Sequence, residues 1–162
     1  MSGYDDIQTA AVVRYPYLWS REAEKGETEG RKERPVTVGF RIARPDGDLV
    51  LVFPNTTKQP GAGRFAMDIP AIEKRRAGLD VDLRLWIILE KFNSDVIGRS
   101  FYLEPEPPIG RFSKAFFLPI LREFIARHKT LTEVNRARQF PASGSNPIKD
   151  GHRRKSNSLS TF

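Results

Sequence analysis

An arginine and a threonine are the side chains of this sequence that are best suited to chemistry. Arg34 ends a long charged segment, and Thr56 directly follows an apolar run. A guanidinium stays charged and offers a planar pair of donors to a phosphate, and a hydroxyl can donate a further hydrogen bond. Together they could form a phosphate-binding site. The alternative is an ordinary solvated arginine at the edge of a sheet.

Other kinds of active site fit the sequence less well. Cysteine is absent, which excludes disulfides and thiolate metal sites. Both histidines, His128 and His152, lie at the end of the last predicted helix or beyond it, so neither a catalytic triad nor a histidine metal site is expected in the body. The glycines of 61–63 lack the lysine and hydroxyl residue of a P-loop. We therefore expect no metal and no cofactor.

A predicted β-hairpin explains why Arg34 and Thr56 should be neighbours. Residues 35–54 contain two apolar runs on either side of a Pro-Asp-Gly turn, in which the glycine can supply a positive φ. Arg34 and Thr56 adjoin the outer ends of the two strands, which antiparallel pairing brings within about 5 Å of each other. The sequence thus predicts both groups at one rim of a sheet, each beside a loop.

The remaining elements are short strands and one long helix. Runs of β-forming residues predict strands at 12–19, 65–69, 83–92 and 99–105. A short helix is expected at 71–77, and Ser113 is a typical N-cap for a longer one over 114–130. One stripe of that helix is apolar, and its members are Phe116, Phe117, Ile120, Leu121, Phe124 and Ile125. Strands come first and the main helix last, which predicts a β-rich α+β fold with a strongly bent sheet.

The charge separates a nearly neutral body from a basic tail. Residues 127–162 carry eight Lys or Arg and two acidic residues, whereas residues 1–126 carry 19 basic and 18 acidic residues. Beyond about residue 140 the chain is poor in apolar residues, a composition typical of disorder. We place one domain at 1–130 and a flexible basic tail at 131–162.

Nothing in the sequence predicts a membrane protein. No apolar run approaches the length needed to cross a bilayer. The first ten residues, MSGYDDIQTA, lack the basic start and apolar core of a secretory signal. We expect a cytoplasmic protein.

Four segments in a fixed order carry a resemblance to a known family. They are GETEGRKERPVTV, DLVLVFPNTT, FAMDIP with the later AGLDVDLRLWIILEKFNSD, and IGRFSKAFFLPILREFI. Their order and spacing resemble the MazF/PemK (Kid-like) toxins of bacterial type II toxin–antitoxin systems, over about residues 10–127. The resemblance implies a small antiparallel β-barrel of the MazF/CcdB type that forms a homodimer, with a C-terminal helix.

The resemblance also implies a function. It implies a toxin, a metal-independent endoribonuclease that cleaves single-stranded RNA by attack of a 2′-hydroxyl on the adjacent phosphate, and a cognate antitoxin as partner. The family's catalytic arginine falls on Arg34 and its catalytic hydroxyl on Thr56. An acidic residue of the first loop falls on Glu29, with one residue inserted. The expected RNA-binding residues are Glu29, Arg31, Lys32, Asn55, Thr57, Lys58, Arg64, Asp95 and Arg99. An arginine is a poor general base, so the base is left unassigned.

Some positions depart from the family pattern. Phe92 stands where some members have an arginine, while Asp95 is retained, and Arg99 or Arg64 could take over the missing contact. Asn55 is polar where an aliphatic residue is usual. Two alternative functions remain on the same barrel. One is a gyrase poison like CcdB, which acts through its C-terminal end, and the other is a non-catalytic interaction module.

Overall fold

Eight β-strands and two α-helices occur in the part of the chain that the structure, a computed structural model, describes: residues 4–19, 23, 33–99 and 102–138. The strands are β1 (Ala11–Tyr15), β2 (Arg34–Ile42), β3 (Leu49–Thr56), β4 (Ala66–Asp68), β5 (Trp86–Ile88), β6 (Lys91–Val96), β7 (Gly110–Arg111) and β8 (Thr132–Asn135). The helices are α1 (Ala71–Arg76) and α2 (Lys114–Arg127). Two 3₁₀ turns, His128–Thr130 and Arg136–Arg138, flank β8.

The predicted hairpin forms from β2 and β3. The register runs from Val36 opposite Pro54 to Ile42 opposite Leu49, with one irregularity between Val38 and Phe40. The turn contains Gly47, whose φ of 124° is in the range that favours glycine. Tyr15 of β1 lies opposite Arg34, so β2 is paired on both sides where the cleft described below begins.

The sheet is mostly antiparallel but does not close into a barrel within the described residues. Its order is β4-β5-β3-β2-β1-β7, and β6 joins β3 and pairs in parallel with β8. Closure would require β4 to meet β7, but among the described strands β4 pairs with β5 alone, and the two-residue β7 pairs with β1 alone. The mixed α and β class expected from the sequence is found, whereas the closed barrel is not.

Apolar side chains pack in two clusters, one of which is covered by helix α2. Ser113 caps that helix by accepting a hydrogen bond from the Phe116 amide at 3.2 Å. Its buried residues, Phe117, Ile120, Leu121 and Phe124, lie within the predicted stripe. Ile125 was expected in the stripe but is 52% exposed. The second cluster contains Tyr15, Tyr17 and valines of β1, β2 and β3.

The expected strand over 83–92 is interrupted. Its residues form β5 and the start of β6, and the chain changes partner between them at Leu89 and Glu90. β5 pairs with β4 and with the end of β3, whereas β6 pairs with the start of β3. The strand expected over 99–105 is absent from its described residues, where Pro105 cannot donate to a ladder.

The folded part extends beyond the boundary expected at residue 130. Residues 132–135 form β8, which runs parallel to β6 with Lys91 opposite Thr132 and Ser94 opposite Asn135. This segment was expected in the flexible tail, and the rest of that tail, 139–162, lies outside the described residues. In the described part of the chain, neither helix has the length and apolar character that a membrane span requires.

Candidate functional site

A cleft of about 410 Å³ opens where the outer ends of β2 and β3 meet the segments around 58–65 and 88–91. Arg34, the first residue of β2, and Thr56, the last residue of β3, both line it. The hairpin register brings them together, because Val36 lies opposite Pro54 and both strands continue two residues further to the rim. The structure thus brings the two predicted catalytic groups to one cleft.

Arg34 lines this cleft, and one nitrogen of its side chain makes no hydrogen bond with a described residue. Its Cζ lies 5.5 Å from the centre of the Trp19 ring, at cation–π range. Its Nε is buried and has no hydrogen-bond partner among the described residues. None of the ion pairs between described residues includes Arg34. A buried donor without a partner is destabilising, so an anion bound in the cleft would satisfy it.

The position of Trp19 is fixed by the segment that precedes it. The side-chain amide of Asn93 accepts a hydrogen bond from the Leu18 amide at 2.9 Å and donates one to the Leu18 carbonyl at 2.8 Å. The Tyr17 ring meets the Trp19 ring edge to face, with centroids 5.0 Å apart. Leu18 and Asn93 are fully buried. The indole under Arg34 is therefore held by the core.

Thr56 is oriented to donate its hydroxyl hydrogen. Its Oγ1 accepts a hydrogen bond from the Lys58 amide at 3.1 Å, the geometry of a turn closed by a threonine side chain. Because a hydroxyl accepts and donates at once, this contact leaves the hydrogen available to a ligand. The backbone of Thr56 is fixed by pairing with Trp86 of β5.

The lining of the cleft is positively charged. It contains four cationic side chains, Arg34, Lys58, Arg64 and Lys91, and one carboxylate, Glu90. Glu90 accepts hydrogen bonds from Arg64 and from the Phe65 amide. The hydrogen bond from Arg64 lowers the pKa of Glu90, so this carboxylate stays ionised and paired. The charge excess lies on the other three cations, which favours an anionic ligand.

The predicted RNA-binding residues divide into several groups. Lys58 and Arg64 line the cleft. Thr57 is exposed beside it and does not line it. Asn55 is only 4% exposed, because it alternates with Thr56 along β3, and its Oδ1 accepts a hydrogen bond from the Thr37 hydroxyl at 2.9 Å. Glu29, Arg31 and Lys32 lie outside the described residues.

Asp95 and Arg99 are not part of the cleft. β6 runs antiparallel to β3 with Val96 opposite Leu49, so the end of β6 lies at the turn end of the hairpin, far from Thr56. Asp95 is 1% exposed and accepts a hydrogen bond from the Tyr15 hydroxyl at 2.7 Å. Arg99 forms an ion pair with Asp46 in the turn at 3.3 Å.

Phe92 is a core residue. It is fully buried, and its ring lies 5.3 Å from that of Phe124 and 6.2 Å from that of Phe53. Of the two arginines expected to take over the contact of the missing arginine, only Arg64 lies in the cleft.

Several lining residues were not predicted from the sequence. Trp19 could have been expected, since it ends an apolar segment just before the charged loop that leads to Arg34. The sequence could not predict that Lys91 and Glu90 line the cleft, because their position depends on the break between β5 and β6. The further lining residues are Gln59, Pro60, Gly61, Phe65 and Ile88.

Within the described residues, no group of three or more acidic or histidine side chains is placed to hold a metal ion. Comparison of the chain with protein-family models, with curated protein sequences and with solved structures gives no match.

Proposed function

We propose that the cleft binds single-stranded RNA and that the chain is a metal-independent endoribonuclease, the toxin of a type II toxin–antitoxin pair. The observation that carries the proposal is Arg34 itself: its guanidinium lies over the Trp19 ring, its Nε has no hydrogen-bond partner among the described residues, and it lines the same cleft as Thr56. The resemblance of the motif order to the MazF/PemK toxins supplies the reaction class, because phosphate binding alone does not specify one.

In the proposed mechanism the RNA supplies its own nucleophile. A ribose 2′-hydroxyl attacks the adjacent phosphorus and gives its proton to water, while the bond to the 5′-oxygen of the next nucleotide breaks and that oxygen takes a proton from water, which leaves a 2′,3′-cyclic phosphate and a 5′-hydroxyl. Arg34 binds the non-bridging oxygens and stabilises the charge that grows on them. Thr56 donates a hydrogen bond to one of these oxygens or orients the 2′-hydroxyl. Binding both reacting groups in line supplies much of the rate enhancement.

A single strand suits the cleft better than a duplex. The aromatic ring of Trp19 lines the phosphate-binding end, and aromatic side chains beside a positively charged groove are typical of sites for single strands. Lys58 and Lys91 add positive charge along the lining, which attracts the backbone without reading the base sequence. A cleft of about 410 Å³ is in the size range of small-ligand sites, which suits one unstacked nucleotide.

A non-catalytic RNA-binding module is the second candidate, and one observation favours it. No histidine lines the described cleft, and its only carboxylate, Glu90, is occupied by Arg64 and the Phe65 amide. A general base is therefore missing from the described lining, while every group needed for binding is there.

The partners and the location are part of the same proposal. An acidic antitoxin segment would compete with RNA for Arg34, Lys58 and Lys91, because it presents the same sign of charge. A homodimer and a cytoplasmic location follow from the resemblance and from the sequence composition.

The test compares cleavage by two arginine variants. Arg34→Ala should lower the rate of cleavage of a single-stranded RNA by about a hundredfold or more, because it removes the main charge-stabilising group. Arg99→Ala is the matched control, since Arg99 is exposed and paired with Asp46 at the opposite end of the hairpin. Equal cleavage by both variants would overturn the catalytic role of Arg34. Absence of cleavage by the unaltered protein, with RNA binding retained, would select the non-catalytic module.

A further inference from the structure

We propose that Arg136, on the C-terminal 3₁₀ turn, is a positioning residue for the cleft that holds the segment 16–19 and thereby sets the stacking of Trp19 on Arg34. The inference deepens the proposed function and rests on it for the RNA-binding part of the test. Arg136 lies beyond the segment that resembles the toxins, and the sequence assigned it to the tail.

Arg136 is a buried arginine with specific contacts. It is 1% exposed, and its Nη1 donates to the Pro16 carbonyl at 2.7 Å and to Asn93 Oδ1 at 3.3 Å. Its Cζ lies 3.8 Å from the centre of the Tyr102 ring and 5.5 Å from that of Tyr15. The guanidinium is thus oriented by two aromatic rings while it holds the chain just after β1.

The same contacts lead to the cleft. Asn93, which accepts from Arg136, also binds both backbone polar groups of Leu18. Leu18 precedes Trp19, whose ring lies against Arg34. Arg136 and Asn93 therefore hold the segment 16–19 at two points, the Pro16 carbonyl and the Leu18 backbone.

Tyr17 lies on the same segment, between the contacts of Arg136 with Pro16 and of Arg34 with Trp19. It is 1% exposed, and its hydroxyl has no hydrogen-bond partner among the described residues. Burial raises the pKa of Tyr17, and the charges of Arg136 and Arg34 oppose that increase. One tyrosine thus lies close enough to both guanidinium groups to respond to them, on the segment that joins them.

Stability alone is a weak reason for a buried arginine. Removing a guanidinium from water costs several kcal/mol, and replacing buried ion pairs with apolar residues is often neutral or stabilising. The attachment of β8 to β6 also has contacts of its own, including the parallel pairing and the hydrogen bond from Ser94 to Glu133. The hydrogen bonds from Arg136 to the Pro16 carbonyl and to Asn93 lead instead to the segment 16–19.

The test measures the environment of Trp19 without RNA and then the affinity for RNA. The chain has two tryptophans, so a Trp86→Phe background leaves Trp19 as the sole indole emitter. In that background Arg136→Met should shift Trp19 emission to the red and increase its quenching by acrylamide. Affinity for a short, fully 2′-O-methylated single-stranded RNA should fall about tenfold, the scale of one lost cation–π contact. Arg136→Lys should give values of Trp19 emission, quenching and RNA affinity between those of the unaltered protein and Arg136→Met, since an ammonium does not stack as a planar guanidinium does.

Ser94→Ala is the matched control, because it weakens the attachment of β8 without touching 16–19. Ser94→Ala should leave the Trp19 fluorescence and the affinity for RNA unchanged. Unaltered Trp19 emission and quenching in a cooperatively folding Arg136→Met variant would overturn the proposal, as would equal effects of Ser94→Ala. If Arg136→Met does not fold, Arg136→Lys is judged by the same criteria. If the unaltered protein binds no RNA, the proposed function fails, and the Trp19 readout alone decides the role of Arg136.

Discussion

Arg34 combines a stacked guanidinium with a buried nitrogen that lacks a hydrogen bond among the described residues. Native structures leave few buried donors unpaired, and such groups often mark functional positions. The same cleft also contains the Thr56 hydroxyl, whose hydrogen is available to a ligand, and two lysines, Lys58 and Lys91, that add positive charge. At the scale of single residues, the site is therefore an arginine and a hydroxyl on a positively charged wall, which we propose to be a phosphate-binding pair.

The role of Thr56 predicts a difference between two substitutions of similar size. Thr56→Ser keeps the hydroxyl and its contact with the Lys58 amide, and should retain RNA cleavage within a few-fold. Thr56→Val keeps the shape but removes the donor, and should lower the cleavage rate by about a hundredfold, the usual effect of losing one donor to a transition state. Single-turnover cleavage rates measure both.

Thr57 provides the control for these variants. It is exposed and does not line the cleft, so Thr57→Val should cleave at the unaltered rate. Equal rates for Thr56→Val and Thr56→Ser would show that the hydroxyl has no part in the reaction.

The elements that carry these residues could be predicted where local sequence determines them. The hairpin follows from two apolar runs and a Pro-Asp-Gly turn, and it alone places Arg34 near Thr56. Helix α2 follows from its Ser113 cap and its apolar stripe. The hairpin and the helix both depend on contacts between residues close in sequence, which explains why the local pattern of apolar residues was sufficient to predict them.

The elements that could not be predicted depend on long-range pairing. The apolar run 83–92 has no local signal for a break, yet β5 and β6 pair with different parts of the sheet. The break places Glu90 and Lys91 in the cleft, and the direction of β6 takes Asp95 and Arg99 away from it. The position of Trp19 likewise depends on Asn93, which is 75 residues away from Leu18 in sequence.

The break between β5 and β6 gives a prediction on pH. Glu90 holds Arg64 and the Phe65 amide, and the hydrogen bond from Arg64 lowers its pKa in the folded chain. This stabilisation is complete above the pKa of an unfolded glutamate, about 4.3, and is lost as the pH falls through the lower folded value. The unaltered protein should therefore lose stability relative to Glu90→Gln as the pH is lowered through that window.

Urea denaturation at a series of acidic pH values measures this difference in the free energy of unfolding. The difference should be constant near neutral pH and shrink in acid. A difference that does not change with pH would show that Glu90 contributes no pH-dependent stability at this break.

At the scale of the whole molecule, the overall charge is a poor guide to the site. The formal net charge is +7, but most of the excess lies in residues 127–162, and the body is nearly neutral. The cleft is positively charged because the fold gathers Arg34 from β2, Lys58 from the segment after β3 and Lys91 from the start of β6, and none of them forms an ion pair within 4 Å among the described residues. Composition could not predict that arrangement, since it depends on how the strands are ordered.

The C-terminal segment also belongs to the whole-molecule account. The end of the last predicted helix and the extent of the resemblance place the end of the domain at residue 130, yet β8 and Arg136 pack on β6 and on the segment after β1. Strand pairing and buried polar contacts hold this segment, and both depend on residues distant in sequence. In the proposed role of Arg136, the cleft depends on residues from both ends of the described chain.

The most direct test of the account is the chemistry of the RNA ends that the purified protein produces in the presence of a metal chelator. The account predicts fragments with 5′-hydroxyl and 2′,3′-cyclic phosphate ends from the unaltered protein, and a loss of these fragments with Arg34→Ala. Fragments with 5′-phosphate ends, or cleavage that the chelator abolishes, would contradict it, because neither outcome is compatible with attack by the RNA's own 2′-hydroxyl at a site formed by an arginine and a threonine.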